Sequence, residues 1–169
     1  ARTGAQILLD QLRRHAVRMA FCVPGESYLA VLDALYGSPV EVVVCRHEGG
    51  AAYMAEAYGK LTGRPGVCLV SRGPGAANAL VALHTANQDA TPMVLFVGLV
   101  PRGDRDRFAF QEFDLRATFG SHAKLVEIVE EAARIPEYVA RAFFTACSGR
   151  PGPVVLGLPE DMLIDRAAV

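Results

Sequence analysis

The sequence predicts an α/β fold: a single domain with a mainly parallel sheet of about six strands and helices on both faces. Three observations predict it. Ala- and Leu-rich segments with helical spacing alternate along the chain with short Val-rich runs. Those runs are continuously apolar instead of half polar, as strands buried on both faces require. The chain has 169 residues, 51% of them hydrophobic and 21% charged. That is enough apolar material for one core, and it excludes a disordered chain.

The first helix is predicted to start at Thr3, because Thr3 and Gln6 form a T-x-x-Q capping box and Ile7, Leu8 and Leu12 make an apolar stripe. Val17 to Val23 reads as a strand, ended by Pro24-Gly25. Ser27 is placed to cap a helix running through Leu35. Val40 to Cys45 is the second strand, and Glu48 to Leu61 the next helix. Gly63-Arg64-Pro65-Gly66 stops that helix and launches the strand Val67 to Val70. Ser71 to Gly75 reads as a loop before a helix from about Gly75 to Asn87, then a strand from Met93 to Val97.

Pro101 to Asp106 is a charged loop, and only short helical turns are expected over Phe108 to Thr118. A short strand at Lys124 to Val126 and a helix at Ile135 to Thr145 follow. A second G-R-P-G segment, Gly149 to Gly152, introduces the last strand, Pro153 to Leu156.

Charge excludes some partners. Seventeen basic against 18 acidic residues leave a formal charge of -1, and no Lys/Arg block marks a nucleic-acid surface. No apolar run reaches the roughly 18 residues that a membrane-spanning helix needs. Ala1 to Asp10 has no basic region ahead of an apolar core, so no signal peptide is read. Cys22, Cys45, Cys68 and Cys147 contain no C-x-x-C pair and are expected to be small buried residues in a reducing compartment, the cytoplasm. No metal ligands are assigned.

The carboxyl ends of the strands are the places to look for chemistry in such a fold. Glu48 follows an apolar strand and opens an Ala-rich helix, so it either complements the helix dipole or acts on a ligand. Gly49 and Gly50 cost helix stability but remove side chains where a flat ligand or a second chain could approach. Ser71 to Gly75 resembles an anion-binding turn, yet no G-K-[ST] follows and G-x-G-x-x-G is incomplete, which argues against a nucleotide-binding domain. Asn78 could cap, bind a ligand or face water. His84, between Ala82 and Ala86, reads as a structural histidine. Neither Ser27 nor Ser71 stands in a G-x-S-x-G elbow.

Several short segments occur in one order: Cys22-Val23-Pro24-Gly25, Arg46 to Ala52, Ala55-Glu56-Ala57-Tyr58, Gly63 to Val67, Gly73-Pro74-Gly75-Ala76-x-Asn78, Phe110-Gln111-Glu112 and Gly149 to Val154. The ordered set resembles the N-terminal, pyrimidine-binding domain of thiamine diphosphate enzymes of the acetolactate synthase group. The resemblance implies the thiamine diphosphate-binding fold. It gives Glu48 the role of hydrogen-bonding N1' of the aminopyrimidine and promoting removal of the C2 proton of the cofactor. A partly buried carboxylate is then expected.

By the same resemblance, Pro24 and Gly25 form a cofactor-facing turn, and Pro74, Gly75 and Asn78 line the pyrimidine. Phe110 and Gln111 reach toward the thiazolium and the substrate, with Gln111 in a catalytic role. Arg72 stands beside the substrate pocket, and His47 supports Glu48 without being the base.

The chain departs from the group's common pattern at Glu26-Ser27, at Ser71-Arg72 and at Gly98-Leu99. The resemblance implies decarboxylation of a 2-keto acid and transfer of the product to an acceptor carbonyl. Related enzymes act as decarboxylases, lyases or sulfoacetaldehyde acetyltransferases, and a non-catalytic assembly domain is the reading from another class. The family's G-D-G segment, part of the domain that holds Mg2+ and the diphosphate, does not occur in these residues. The pyrimidine domain is therefore expected over 1–160, with 161–169 starting a linker to a middle domain. Its expected partner is the diphosphate-binding domain of a second subunit in a homodimer or homotetramer, and the chain alone is expected to be inactive.

Overall fold

Thr3 caps the first helix as its spacing predicts. Its side chain accepts from the Gln6 backbone N–H, and the Gln6 side chain accepts from the Thr3 N–H. In this computed structural model, which describes residues 1–169, that helix is α1 (Gly4–Arg14), preceded by the short strand β1 (Arg2–Thr3). The chain continues through β2 (Met19–Cys22), α2 (Leu29–Leu35), β3 (Glu41–Val44), α3 (Glu48–Thr62), β4 (Gly66–Ser71) and α4 (Arg72–Gln88). Then come β5 (Met93–Leu99), α5 (Leu115–Phe119), β6 (Leu125–Ile128), α6 (Ile135–Cys147), β7 (Pro153–Pro159), α7 (Glu160–Ile164) and β8 (Arg166–Ala167).

Six strands form one sheet in the order β3-β2-β4-β5-β7-β6, and every neighbouring pair is parallel. The single α/β domain and its six-stranded parallel sheet match the expectation. The order reverses between β2 and β4: the chain first builds outward to β3 and then returns past β2. A crevice opens at the carboxyl ends of strands at such a point. There the Pro24-Gly25 turn after β2 faces Ser71 at the end of β4, and a Cβ on Gly25 would overlap the Ser71 side chain.

Alternate strand residues enter two separate cores, as the period of two requires. Val67, Leu69, Val94, Phe96, Val154 and Leu156 pack with Ile7, Leu8 and Leu12 of α1, Val31 of α2 and Val139 of α6. Cys68, Val70, Leu95 and Val97 pack instead with Ala51, Ala52 and Ala55 of α3 and Ala76, Ala79 and Ala82 of α4. Both faces of the sheet are covered, which explains its unbroken apolar runs.

Several local expectations are corrected. Ser27 does not cap α2. It lies fully buried in a 3-10 turn, Glu26–Tyr28, and its hydroxyl shares a 2.7 Å hydrogen bond with Ser71. A Cβ on Gly98 would overlap the Ser27 hydroxyl, so the glycine makes room for it. Ser71 to Gly75 is not a loop: helix α4 begins at Arg72, whose own φ is +45°.

Of the four free cysteines only Cys22 and Cys68 are buried, while Cys147 is exposed at the end of α6. Burial pushes the Cys22 thiol up to about 11. His84 is exposed on α4 and faces the His122 ring at 5.7 Å, so it is not a core residue.

Residues 161–169 pack onto the domain. Met162 and Leu163 are fully buried beside α1, and β8 pairs antiparallel with β1. No helix is long and apolar enough to cross a membrane.

Candidate cofactor site

Glu48 is the first residue of α3, four residues beyond the end of β3 at Val44 and directly after its N-cap, His47. The His47 ring Nδ1 accepts from the Gly49 backbone N–H at 3.0 Å. His47 therefore holds the start of α3, a supporting role. Glu48 is half buried, and its Oε2 accepts from Asn78 Nδ2 at 2.9 Å. The partners stand 30 residues apart in sequence, joined because α3 and α4 pack closely through small residues. Gly49 contributes: a Cβ there would lie 3.2 Å from the Asn78 carbonyl oxygen.

Gly75 completes this cluster. A Cβ on it would stand 3.4 Å from Glu48 Oε1, in the space the carboxylate faces. Pro74 is exposed at the helix start, and Pro24 is exposed on the turn after β2. Tyr28 holds that turn from below, with its hydroxyl donating to the Val23 carbonyl and, at 3.4 Å, to Leu69. Burial pushes this phenol well up, so it stays neutral.

A second cluster gathers at the same edge. The Gly73 backbone N–H donates to the Gln111 carbonyl at 3.0 Å, and Arg72 Nη1 donates to the Phe110 carbonyl at 2.9 Å. Phe110 projects outward and is 71% exposed, while Gln111 is half buried in a left-handed conformation, φ +63°. Glu112 builds the turn from inside, accepting from the backbone N–H groups of Asp106 at 2.6 Å and Ala109 at 3.0 Å. These bonds, that from Asp106 foremost, hold its carboxyl below the usual glutamate range. A cavity of about 560 Å3 opens between Arg72, Leu99, Gln111 and Phe113.

The structure thus brings the candidate cofactor and substrate residues to one end of the sheet, in two clusters joined by the first turns of α4, while His84 lies in the last turns of that helix. Sequence reasoning missed two participants, Ser27 and Glu160. Nothing local marks Ser27 as the partner of Ser71. Glu160 had a weak signal, an acid directly after a buried strand, and its Oε2 accepts from Arg72 Nη2 at 2.9 Å. No group of three or more His, Cys, Asp or Glu residues could hold a metal ion.

The parallel sheet, the crevice at its switch point and a carboxylate held beside open glycine backbone define an α/β cofactor-binding domain. The family described as "Thiamine pyrophosphate enzyme, N-terminal TPP binding domain" matches residues 2–118, and the chain belongs to this family. Its relatives place it in the acetolactate-synthase-like group. It is 41% identical, over 95% of its length, to the acetolactate synthase of Arthrospira platensis, of which it covers 28%. It is 42% identical over 94% of its length to the acetolactate synthase isozyme 2 large subunit of Escherichia coli, covering 29% of that protein. It is 40% identical over 95% of its length to the mitochondrial acetolactate synthase catalytic subunit of Saccharomyces cerevisiae, covering 23%. The chain spans less than a third of the length of these curated relatives.

Proposed function

We propose that this domain binds the aminopyrimidine of thiamine diphosphate and activates the cofactor through Glu48, within an enzyme that decarboxylates a 2-keto acid and transfers the product to an acceptor carbonyl. The observation that carries the reading is the Glu48 carboxylate, half buried, tied on one oxygen to Asn78 and facing the bare backbone of Gly75 on the other. These residues fit a flat ring with a nitrogen that shares a proton. One oxygen is oriented by the protein and the other is left for a ligand, with no side chain between them.

Glu48 would hold or share that proton. Asn78 fixes its orientation, and His47 and Gly49 fix the helix start it stands on. Pro24, Gly25, Pro74 and Gly75 would bound the ring. Bound thiamine diphosphate would supply the carbon that adds to the keto-acid carbonyl and accepts the electrons released with carbon dioxide. Phe110 and Gln111 would face the substrate, with Arg72 behind them.

The reading assigns the diphosphate and Mg2+ to the diphosphate-binding domain of a second subunit, in a homodimer or homotetramer working in the cytoplasm. Helices α3 and α4 support a partner there. The outward side of α3 exposes Tyr53, Met54 and Leu61, and α4 adds Val81 between the polar Asn78 and His84. The chain alone is then inactive. Leu99 and Arg72 distinguish the pocket from the group's common pattern, so the preferred keto acid is to be found by substrate screening of the full-length protein.

The test is Glu48→Gln in the full-length enzyme, read by deuterium exchange at C2 of the bound cofactor as well as by turnover. A fall on the order of 100- to 10,000-fold in both is expected. Near-normal C2 exchange would defeat the role given to Glu48.

A further inference from the structure

Arg72 is unusual in three respects. It has a left-handed backbone, φ +45°, which a non-glycine residue adopts only when its surroundings hold it there. Its side chain is only 12% exposed. Both terminal nitrogens are engaged within the protein: Nη1 with the Phe110 carbonyl, and Nη2 with Glu160 of α7. Glu26 Oε1 lies 3.7 Å from Nη1, so two carboxylates face one largely buried guanidinium. Its Nε–H is buried without a partner. The fork is therefore oriented by its terminal nitrogens alone.

The next residue acts on the same segment. Arg72 and Gly73 hold two successive carbonyls, those of Phe110 and Gln111. Around them the chain is in an unfavourable conformation. Asp106, Phe108 and Gln111 all have positive φ, at +63°, +55° and +63°. Such a run persists only if contacts from outside it over-determine its shape. The external ties nearby reach it from the carboxyl-terminal part of the chain. Arg102 bonds Asp161 and Asp165, and Arg105 bonds Glu130. Only Arg72 and Gly73 tie the Phe110–Gln111 part itself to a strand end of the central sheet. A guanidinium so committed is not free to bind a substrate carboxylate.

We propose that Arg72 is a positioning residue for the Phe110–Gln111 segment, and that Glu160, at the start of α7, orients its guanidinium for that task. The consequence for substrate use rests on the reading that Phe110 and Gln111 face the substrate; the positioning itself does not. Glu160 stands 88 residues away in sequence, so the register of α7 on the domain would be felt at the substrate edge.

Hydrogen exchange in the full-length protein tests this, because two amides report on the segment: Gly73 N–H, bonded to Gln111, and Glu112 N–H, bonded to Ala109 at 2.9 Å. R72M is expected to speed exchange at both by about tenfold or more while the β4 and β5 amides stay protected. R72K keeps the charge but not the fork, so it should likewise keep the β4 and β5 amides protected and still leave these two amides exchanging fast. E160Q should move them in the same direction by a smaller factor, and it carries the test if R72M does not fold. In kinetics, R72M should raise KM for the keto acid more than it lowers kcat. Unchanged exchange at both amides in R72M and E160Q would overturn the proposal, as would full rescue by R72K. Faster exchange with unaltered kinetics would uphold the positioning and refute the substrate-facing role of Phe110 and Gln111.

Discussion

The two faces of the sheet are built by different means. On one, α1 and α6 are amphipathic and send Ile7, Leu8, Leu12, Ile135 and Val139 into the core. On the other, α3 and α4 meet the sheet with alanine and glycine and show little amphipathic contrast between their faces. The first face gains stability from large side chains that leave water. The second sacrifices that area for close backbone approach, and this approach brings Glu48 to Asn78. A face built from small residues places backbone accurately and leaves its outer side to be covered by something else.

Truncation on the large-residue face should have the greatest effect on stability. Leu8→Ala removes a fully buried side chain and should cost about 2–5 kcal/mol in denaturant unfolding. The Glu48–Asn78 pair on the far side should be unaffected. A loss below ~1 kcal/mol would break the contrast between the faces.

Enlargement is the matching test on the small-residue face. A Cβ on Gly59 of α3 would run into the Pro92 carbonyl. Gly59→Ala should therefore destabilise by about 1–3 kcal/mol, although alanine in a helix interior is otherwise favoured by about 1 kcal/mol. A net gain in melting temperature would show that α3 can move away from the sheet, and that its close approach is not enforced.

A smaller effect belongs to the junction between the faces. Ser27→Ala leaves the Ser71 hydroxyl without its partner and should cost about 1–2 kcal/mol by the same measurement. The freed Ser71 stands at the N-cap of α4 and can turn to a helix amide, which would bring the loss to the lower end.

The smallest effect is one of pH. The Glu112 carboxyl lies below its ordinary value near 4.5 because it accepts the Asp106 and Ala109 amides. A depressed folded-state pKa gives a contribution that is present above the unfolded value and is lost as pH falls through the folded one. Protection of the 106–112 turn should accordingly weaken below about pH 4.5, and Glu112→Gln should abolish that dependence. A turn equally protected at pH 3 and pH 6 would separate Glu112 from its stability.

The elements read correctly from sequence rest on contacts within a turn or so of chain. Thr3 and Gln6 satisfy each other three residues apart, and Gly63 ends α3 in the left-handed conformation at φ +68° that its G-R-P-G segment suggests. Glu48 was visible as an acid on a strand-to-helix junction beside two glycines. Ser27 was misread because a serine before a helical stretch has the same local appearance whether it caps or lies buried against a hydroxyl 44 residues on. The start of α4 was misplaced because glycine and proline suggest a loop, although proline is well tolerated in a first helical turn. The burial of Met162 and Leu163 and the pairing of β8 with β1 depend on both ends of the chain meeting.

The sequence by itself determined the α/β class, the helices and buried strands, the resemblance to a thiamine diphosphate enzyme domain and the acid at Glu48. Each is carried by periodicity, by capping within a turn, or by an ordered set of short segments. Only the tertiary structure decided the strand order, the division between a large-residue and a small-residue face, the bond from Asn78 to Glu48, and the hold of Arg72 on Phe110 and Glu160. Those contacts join residues 30, 38 and 88 positions apart. Their formation depends on how packed helices bring distant backbone together, which no pattern within a single helix or strand encodes.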